Sequence, residues 1–511
     1  MFKIKKVLIS VSDKTNLKLL TPYFEKHKIK IYSSGGTSKY LNEINSNLDV
    51  TEISDLTGFP EILNGRVKTL HPKIHAGILS DKSNRKHVND CKINDIDFFD
   101  LVIVNLYPFE KSVNRNESIE KCIENIDIGG TTLIRSAAKN FKNVLVVVTE
   151  SQVFTLKKIL DKKKIIDINI RKDFAREAFK YTAFYESIIS NWFSKEDSNL
   201  FSDDVALPLK KIRNLRYGEN PHQKASIFKF GTNSLKQLSG KELSFNNIND
   251  IDIAISLAFE LKKSSCVIVK HGNPCGVAVC NSQDKSYELA FNSDPVSAFG
   301  GIVAFNENLS KKTAQKILEN FTEIAIAPKI TKSAKNVLID KKNLILLEYK
   351  REKEKIKNYE IKSTQNFLVV QERNLRKILK TDLTFVTKEK PKKKEIEDML
   401  FGSLVCKFVN SNAVIIVEKQ KVLGIGVGQT NRIEAAKQAI RNSQRKVKNL
   451  KNAVLVSDGF FPFSDIIDLC KKESVRLIIQ PGGSVKDKEI IKKANEEKIK
   501  MVFTGIRNFK H

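Results

Sequence analysis

CysValIleValLysHisGlyAsnProCysGlyVal (266–277) is the stretch that decides the fold class. Its first four residues are apolar or β-branched and read as a short buried strand. The strand stops at Lys270 and His271, and Gly272 and Pro274 then break the chain into a loop. In open α/β sheets, ligands settle at the carboxyl ends of strands. A cation and a side chain that titrates near neutrality thus stand side by side where chemistry usually sits. Taken alone, the pair reads equally well as a surface lysine and a structural histidine beside a turn.

Outward from this stretch, strand-like runs recur at Ile302–Ala304, Ala413–Val417, Val454–Ser457, Leu477–Gln480 and Met501–Thr504. Toward the N-terminus they lie at Val7–Val11, Ile29–Tyr32, Leu101–Leu106 and Val144–Val148, with helical periodicity between them, the pattern of a parallel α/β sheet. Residues 171–193 carry apolar positions at helical spacing and predict a long amphipathic helix that closes this first region. The polar stretch SerLysGluAspSerAsn (194–199) marks a linker, and 349–360 and 387–396 are lysine-rich and read as solvated surface. No internal repeat is visible.

A length of 511 residues is too great for one core, so two to four domains are expected. Hydrophobic content of 41% excludes a mainly disordered chain, and no apolar run approaches the roughly 20 residues of a membrane span. The basic, then apolar, N-terminus ends at once in SerAspLysThr and reads as a first strand, so a cytoplasmic protein is expected. Seven scattered cysteines without a CysXXCys pair fit free thiols. Cys275 and Cys280 after His271 lack the spacing and the glutamate of a zinc deaminase, so no metal is expected. The net charge of +29 suggests a polyanionic partner, but the lysines are spread along the chain and no aromatic-plus-basic recognition motif accompanies them. A basic α/β protein that binds RNA or another polyanion is the rival reading, and strongly salt-dependent, substrate-free binding of nucleic acid would mark it.

Several loops are dense in polar function. SerValSerAspLysThr (10–15) follows the first strand; Ser12 or Asp13 is expected to cap a helix there, with Lys14 at its positive end. SerSerGlyGlyThr (33–37) follows the second strand and offers Ser34, Gly36 and Thr37, so the two loops together suggest a phosphate cradle. AsnGlyArgValLysThrLeuHisProLysIleHis (64–75) adds Arg66, Lys68 and Thr69. Pro72 argues against a helical metal pair of His71 and His75, so both read as structural. Tyr107 ends a buried strand in AsnLeuTyrProPhe (105–109). Asp127 precedes a Gly turn and Lys139 comes late in the following helix; a carboxylate that reached this lysine would hold it and fix its protonation. Asp127 as a helix cap and Lys139 as a solvated lysine are the structural alternatives. LeuArgTyrGlyGluAsnProHisGln (215–223) and AspProValSerAlaPheGlyGly (294–301) are turn-rich and poor in core residues. GlyIleGlyValGlyGln (424–429) matches a dinucleotide loop only weakly, and AspGlyPhePheProPheSerAsp (458–465) sets aromatics beside carboxylates.

Together and in this order, these motifs resemble the bifunctional purine-biosynthesis family that joins AICAR transformylase to IMP cyclohydrolase. The resemblance covers essentially the whole chain. It implies a cyclohydrolase domain over 1–198, similar to methylglyoxal synthase with a parallel α/β sheet. It further implies a linker over 199–212 and a transformylase domain over 213–511 built from two cytidine-deaminase-like α/β halves without zinc. By the resemblance, 10-formyltetrahydrofolate is the co-substrate, with no catalytic metal. AICAR, formyl-AICAR, IMP and folate are the small-molecule partners. A homodimer is expected, with the transformylase site across its interface, and neither nucleic acid nor membrane is a partner.

The same resemblance assigns roles. His271 takes the proton of the attacking amine, Lys270 stabilises the oxyanion or helps the leaving nitrogen, and Asn412 in AsnSerAsnAla (410–413) positions substrate and His271. Arg216, Tyr217, Gly300 and Arg432 hold AICAR; Phe460, Asp465, Ser484 and Arg507 line the folate pocket. In the cyclohydrolase, Asp127 and Lys139 manage protons while Tyr107 and Lys68 stabilise charge. Ser12, Lys14, Ser34, Gly36, Thr37, Arg66 and Thr69 bind the substrate, chiefly its phosphoribosyl group. The C-terminus departs from the family pattern: ThrGlyIleArgAsnPheLysHis (504–511) has Asn508 and Lys510 where a His and an Arg are expected, which bears on folate contacts.

Overall fold

The computed structural model describes residues 2–194, 203–229, 235–350 and 359–511. Residues 195–199 of the polar stretch, part of the expected linker and residues 351–358 of the lysine-rich run lie outside the described residues. The chain divides into two compact units, Met1–Leu209 and Lys210–His511. Among the described residues no helix is long and apolar enough to cross a membrane.

In the first unit, strands β1 (Lys6–Val11), β2 (Lys30–Ser33), β3 (Val50–Glu52), β4 (Leu101–Asn105) and β5 (Leu145–Val147) form a parallel sheet in the order β3-β2-β1-β4-β5. Alternation of side chains feeds two cores. Leu8, Val102, Val104 and Val146 face one, while Val7, Ile9, Ile103 and Val147 face the other. Burial on both faces explains why these strands read as continuous apolar runs. β3 carries no apolar run that would mark it in the sequence, being a three-residue edge strand that is only half-buried. The long helix spans Ile168–Phe193 and packs along the helix Ile128–Lys139. Strand order reverses beside β1, which opens a crevice at the carboxyl ends of β1 and β4.

The second unit holds β6 (Lys210–Asn214) paired with β7 (Ser226–Lys229), then β8 (Leu235–Ser239), β9 (Ser264–Lys270), β10 (Asn273–Cys280), β11 (Ile302–Phe305), β12 (Ile324–Ala327) and β13 (Ile345–Tyr349). There follow β14 (Tyr359–Ser363) paired with β15 (Leu368–Glu372), and β16 (Thr384–Phe385), β17 (Val414–Glu418), β18 (Lys421–Gly426), β19 (Val454–Ser457), β20 (Leu477–Gln480) and β21 (Lys500–Phe503). Twelve of these strands form one sheet in the order β16-β21-β20-β19-β17-β18-β10-β9-β11-β12-β13-β8.

The sheet is an internal duplication of two α/β halves, as the resemblance implies, although no repeat is visible in the residues. Each half is an antiparallel hairpin (β9–β10; β17–β18) whose first strand pairs antiparallel with the next (β11; β19). Two parallel pairings and one antiparallel edge strand complete each half. The halves meet where β10 runs antiparallel to β18. That junction relates them by an approximate twofold, so the two hairpin tips point to opposite edges of the sheet. One apolar core runs under both halves, and each half has its own core on the other face.

The opening stretch therefore folds differently from expectation beyond Lys270. No loop follows: His271 and Gly272 are the whole turn, and Pro274 lies within β10. Proline is tolerated there because the ladder slips between Pro274 and Gly276, where no N–H is required of it. The weakness of the dinucleotide match has a structural reason. Gly424 and Gly426 lie in β18, where a Cβ would sit 2.2 Å from the Ala439 carbonyl oxygen and 1.9 Å from that of Ala435. They let the helix Arg432–Gln444 lie close on the strand and make no phosphate loop. All seven cysteines are separate thiols. Among the described residues no three His, Cys, Asp or Glu side chains gather as a metal site would require.

Candidate active sites

The first cluster forms at the carboxyl ends of β1, β2 and β4. Asn105, the last residue of β4, ties two loops together: its Oδ1 accepts from the Ser12 and Asp13 amides at 2.6 and 3.0 Å, and its Nδ2 donates to the Asp13 carbonyl at 2.7 Å. Neither Ser12 nor Asp13 caps a helix, contrary to expectation. Asp13 instead closes a local turn onto the Thr15 amide and hydroxyl, and the next element is a single 3-10 turn at Leu17–Leu19. The shift leaves Lys14, half-buried, in the loop itself. After β2, Ser34 stands at the N-cap of the helix Gly35–Ile44 without bonding it through its side chain. Gly36 has open space around it, and the Thr37 hydroxyl turns inward to the Val11 carbonyl at 3.4 Å. The hydroxyl of Ser33 is buried there with no hydrogen-bond partner.

Lys68 Nζ donates to the Tyr107 hydroxyl at 3.2 Å. Asp127 caps the helix Ile128–Lys139 through the Gly130 amide at 2.6 Å. Burial pushes its carboxyl above the ordinary aspartate range, against the Gly130 and Tyr107 amides and the Lys68 charge, which pull it down. Gly129 and Gly130 permit this crowding: a Cβ on Gly129 would meet the Thr69 hydroxyl at 2.6 Å, and one on Gly130 the Asp127 carboxylate at 2.6 Å. Lys68, Thr69, Tyr107 and Asp127 are thus one cluster. Two tyrosines of the long helix, absent from the sequence expectations, support it. Tyr185 donates to the Asn125 carbonyl at 2.8 Å and accepts from the Asp127 amide at 2.9 Å; Tyr181 accepts from the Leu106 amide at 3.2 Å.

Lys139 does not join them. It ends the helix that Asp127 begins, about 18 Å along the axis, beyond the reach of either side chain. The expected Asp127–Lys139 contact is therefore corrected for this chain. Arg66 is exposed and forks onto Glu124. His71 caps the helix Pro72–Leu79 by accepting from the Lys73 amide at 3.2 Å, and His75 Nδ1 meets Ser136 at 3.2 Å, both structural roles.

The second cluster lies along one edge of the twelve-stranded sheet. At the β9–β10 tip, Lys270 Nζ donates to the Phe299 carbonyl at 2.8 Å, which brings it beside Gly300. Gly300 takes φ +74°, and its amide donates to the Phe321 carbonyl at 2.7 Å. His271 is exposed, with its backbone held by Asp250. Asn273 Oδ1 accepts from the Asn410 amide at 3.0 Å, tying this hairpin to the AsnSerAsnAla loop of the other half.

There, Asn412 Nδ2 donates to the Gln429 carbonyl at 2.8 Å and its Oδ1 accepts from Arg432 Nη2 at 2.7 Å. Arg432 Nη1 bonds Ser457 at 2.9 Å and the Asp458 carboxylate. Arg432 is buried and engaged by three protein acceptors, one of them the Asn412 side chain. Asp458 also accepts from the Ser411 hydroxyl at 2.6 Å and the Ala413 amide at 3.0 Å. The tail closes over this loop: Ser411 N donates to the Lys510 carbonyl at 2.9 Å, and Asn508 N to the Asp458 carbonyl at 3.0 Å.

Phe460 is exposed after β19, Asp465 opens the helix Asp465–Lys472, and Ser484 follows β20. Gln480 Oε1 joins these loops by accepting from the Phe461 and Gly482 amides, each at 3.2 Å. Arg507 stacks 4.6 Å from the Phe509 ring centre. Arg216 stacks on its neighbour Tyr217, and their loop is fastened by Asn246, which donates to the Glu219 carbonyl at 3.2 Å from the helix that carries Asp250.

Comparison with known proteins bears on both clusters. A family model described as MGS-like domain matches residues 19–132, and one described as AICARFT/IMPCHase bienzyme matches residues 137–442. The protein named "Bifunctional purine biosynthesis protein PurH" of Caldicellulosiruptor saccharolyticus is 44% identical over 517 residues, covering 99% of this chain and 100% of the relative. The proteins of that name from Buchnera aphidicola subsp. Schizaphis graminum and Persephonella marina are 46% and 41% identical, over 99% of this chain and 99% and 100% of their own lengths. With two clusters of polar residues at strand ends and full-length likeness of this order, the chain belongs to the AICARFT/IMPCHase bienzyme family of bifunctional purine biosynthesis proteins.

Proposed function

We propose that the two clusters divide the two reactions of the family. As a member of it, the chain is an AICAR formyltransferase and an IMP cyclohydrolase of purine biosynthesis. The cyclohydrolase domain is assigned to 1–198 and the transformylase domain to 213–511, joined by 199–212. In the second unit the 5-amino nitrogen of AICAR attacks the formyl carbon of 10-formyltetrahydrofolate. The new C–N bond forms, the bond to the folate N10 breaks, and the amine proton leaves through His271 to the departing nitrogen. Lys270, fixed by the Phe299 carbonyl, stands beside the tip to meet the developing oxyanion. Asn412, aimed by Arg432, orients the substrate. Arg216, Tyr217 and Gly300 hold AICAR, and Phe460, Asp465, Ser484 and Arg507 receive the folate. The active form is a homodimer in the cytoplasm.

In the first unit the carboxamide nitrogen of formyl-AICAR attacks the formyl carbon and water leaves, giving IMP. Lys68 and Tyr107 stabilise charge on the formyl oxygen and Asp127 moves the proton. Ser12, Lys14, Ser34, Gly36, Thr37, Arg66 and Thr69 surround the phosphoribosyl group. The observation that carries this reading is the Lys68–Tyr107–Asp127 cluster at the switch point of the sheet. The test mixes protein with AICAR and 10-formyltetrahydrofolate and follows tetrahydrofolate and IMP together. His271→Ala is expected to abolish formyl transfer yet cyclise supplied formyl-AICAR normally. Tyr107→Phe is expected to do the reverse, raising the cyclisation barrier by about 3 kcal/mol. Equal loss of both activities in either variant would refute separate sites.

A further inference from the structure

The duplication supplies an internal comparison for the catalytic turn. Both hairpins close with two residues in the left-handed region: His271 and Gly272 at φ +52° and +75°, Lys419 and Gln420 at +50° and +52°. Side chains other than glycine resist this conformation, so something must hold it. In each half that holder is an aspartate at the sixth position of a helix, Asp250 in Phe245–Glu260 and Asp398 in Lys393–Cys406. Asp250 accepts from the His271 amide at 3.1 Å through Oδ2 and the Gly272 amide at 2.6 Å through Oδ1. Asp398 accepts from the Lys419 amide at 2.8 Å through Oδ2 and the Gln420 amide at 2.7 Å through Oδ1. The two clamps match atom for atom, and burial raises both carboxylates toward the protonated form. They differ in what the tip carries. One presents Lys270 and His271 at the edge where Asn412 and the tail converge; the other presents Lys419 and Gln420 at the opposite edge.

We propose that Asp250 is a positioning residue for formyl transfer, its carboxylate fixing through two backbone N–H bonds where the His271 imidazole stands. Asp398 does the same for the fold with no catalytic group attached. Asp250 lies too close to the His271 backbone for the turn to shift without it, and a displacement of about 1 Å at a reacting group costs on the order of a hundredfold in rate. The inference rests on the reading of His271 as the base.

The test compares Asp250→Asn with Asp398→Asn in the full-length protein. An asparagine turns an NH2 group on one of the two amides it must accept from, so each variant breaks its clamp. Both are expected to lose similar thermal stability. Asp250→Asn is expected to lose about a hundredfold in kcat for formyl transfer, with KM for AICAR within about twofold. Its cyclisation of supplied formyl-AICAR should be unchanged, and Asp398→Asn should keep both rates. Asp250→Glu, which keeps the charge at the wrong reach, should fall between them and decides the matter if Asp250→Asn does not fold. Wild-type kcat in a folded Asp250 variant, or parallel loss of formyl transfer in both halves, overturns the proposal. His271→Ala, assayed beside them, separates the two claims. If it retains formyl transfer, the base assignment fails and takes this inference with it; if it is inactive while Asp250→Asn is not, only the Asp250 role falls.

Discussion

Asp127 is a structural cap to which the proposed cyclisation also gives a reactive role. Its carboxylate bonds the Gly130 amide, which any N-cap aspartate would do, but burial raises it and Lys68 stands nearby. A raised folded-state value has opposite consequences for stability and for a reaction that needs the carboxylate. The folded state holds the proton better, so this group's contribution to stability is present at low pH and is lost as pH rises through the folded value. The reacting carboxylate, conversely, disappears on acidification earlier than an ordinary aspartate near 3.9 would. The acidic limb of cyclisation is therefore expected above the usual aspartate range. Asp127→Asn should stop cyclisation while melting no lower than wild type at neutral pH, since asparagine still caps. A limb in the ordinary range, measured with supplied formyl-AICAR, would sink this assignment. That Asp127 could cap a helix was legible in the sequence from the IleGlyGly (128–130) that follows it; its neighbours in the cluster were not. The sequence paired it with Lys139, but a twelve-residue helix separates them, and the residues that reach it, Lys68 and Tyr107, come from distant segments.

At the scale of elements, strands with several apolar residues in a row, such as β4 and β19, could be read directly because both their faces are buried. β10 could not. It opens AsnProCysGly, which carries every local mark of a loop, and is a strand only because Pro274 falls at a ladder slip and Gly276 accommodates a helix. A Cβ on Gly276 would lie 2.1 Å from the Ala290 carbonyl oxygen, the counterpart of Gly424 and Gly426 in the other half. These glycines are required by helix-on-strand approach. Gly426→Ala is expected to destabilise the second unit by about 1–3 kcal/mol, as overpacking does. Chemical denaturation would measure it, and an unchanged midpoint would show that the helix Arg432–Gln444 can move away at no cost. The long helix was likewise legible as an amphipathic element, whereas its tyrosines' function was not, since their partners Asn125, Asp127 and Leu106 lie over 50 residues upstream. Tyr185→Phe removes the acceptor of the Asp127 amide and the donor to the Asn125 carbonyl. It should slow cyclisation by about tenfold, on the scale of one net hydrogen bond, with formyl transfer untouched.

For the molecule as a whole, the sequence motifs fell into two groups, and the fold keeps those groups in separate units. The five-stranded sheet and both of its cores use residues before 193, while the twelve-stranded sheet and its three cores use residues after 234. The duplication in the second unit, implied by the family resemblance, is not visible as a repeat of residues because the two hairpin tips, LysHisGlyAsn and GluLysGlnLys, share no residue type at matching positions. What they share is backbone conformation and an aspartate well over ten residues upstream. Each unit has the burial and hydrogen bonding of a domain able to fold alone. Expressed separately, residues 1–209 should cyclise supplied formyl-AICAR, and residues 210–511 should form formyl-AICAR and tetrahydrofolate but release no IMP. Mixing the two should restore IMP formation from AICAR, since the intermediate can diffuse from one fragment to the other. If either fragment folds by circular dichroism and dimerises yet lacks its reaction, its cluster is incomplete without residues from the other unit, and the division of labour drawn from Lys68–Tyr107–Asp127 and Lys270–His271 is wrong.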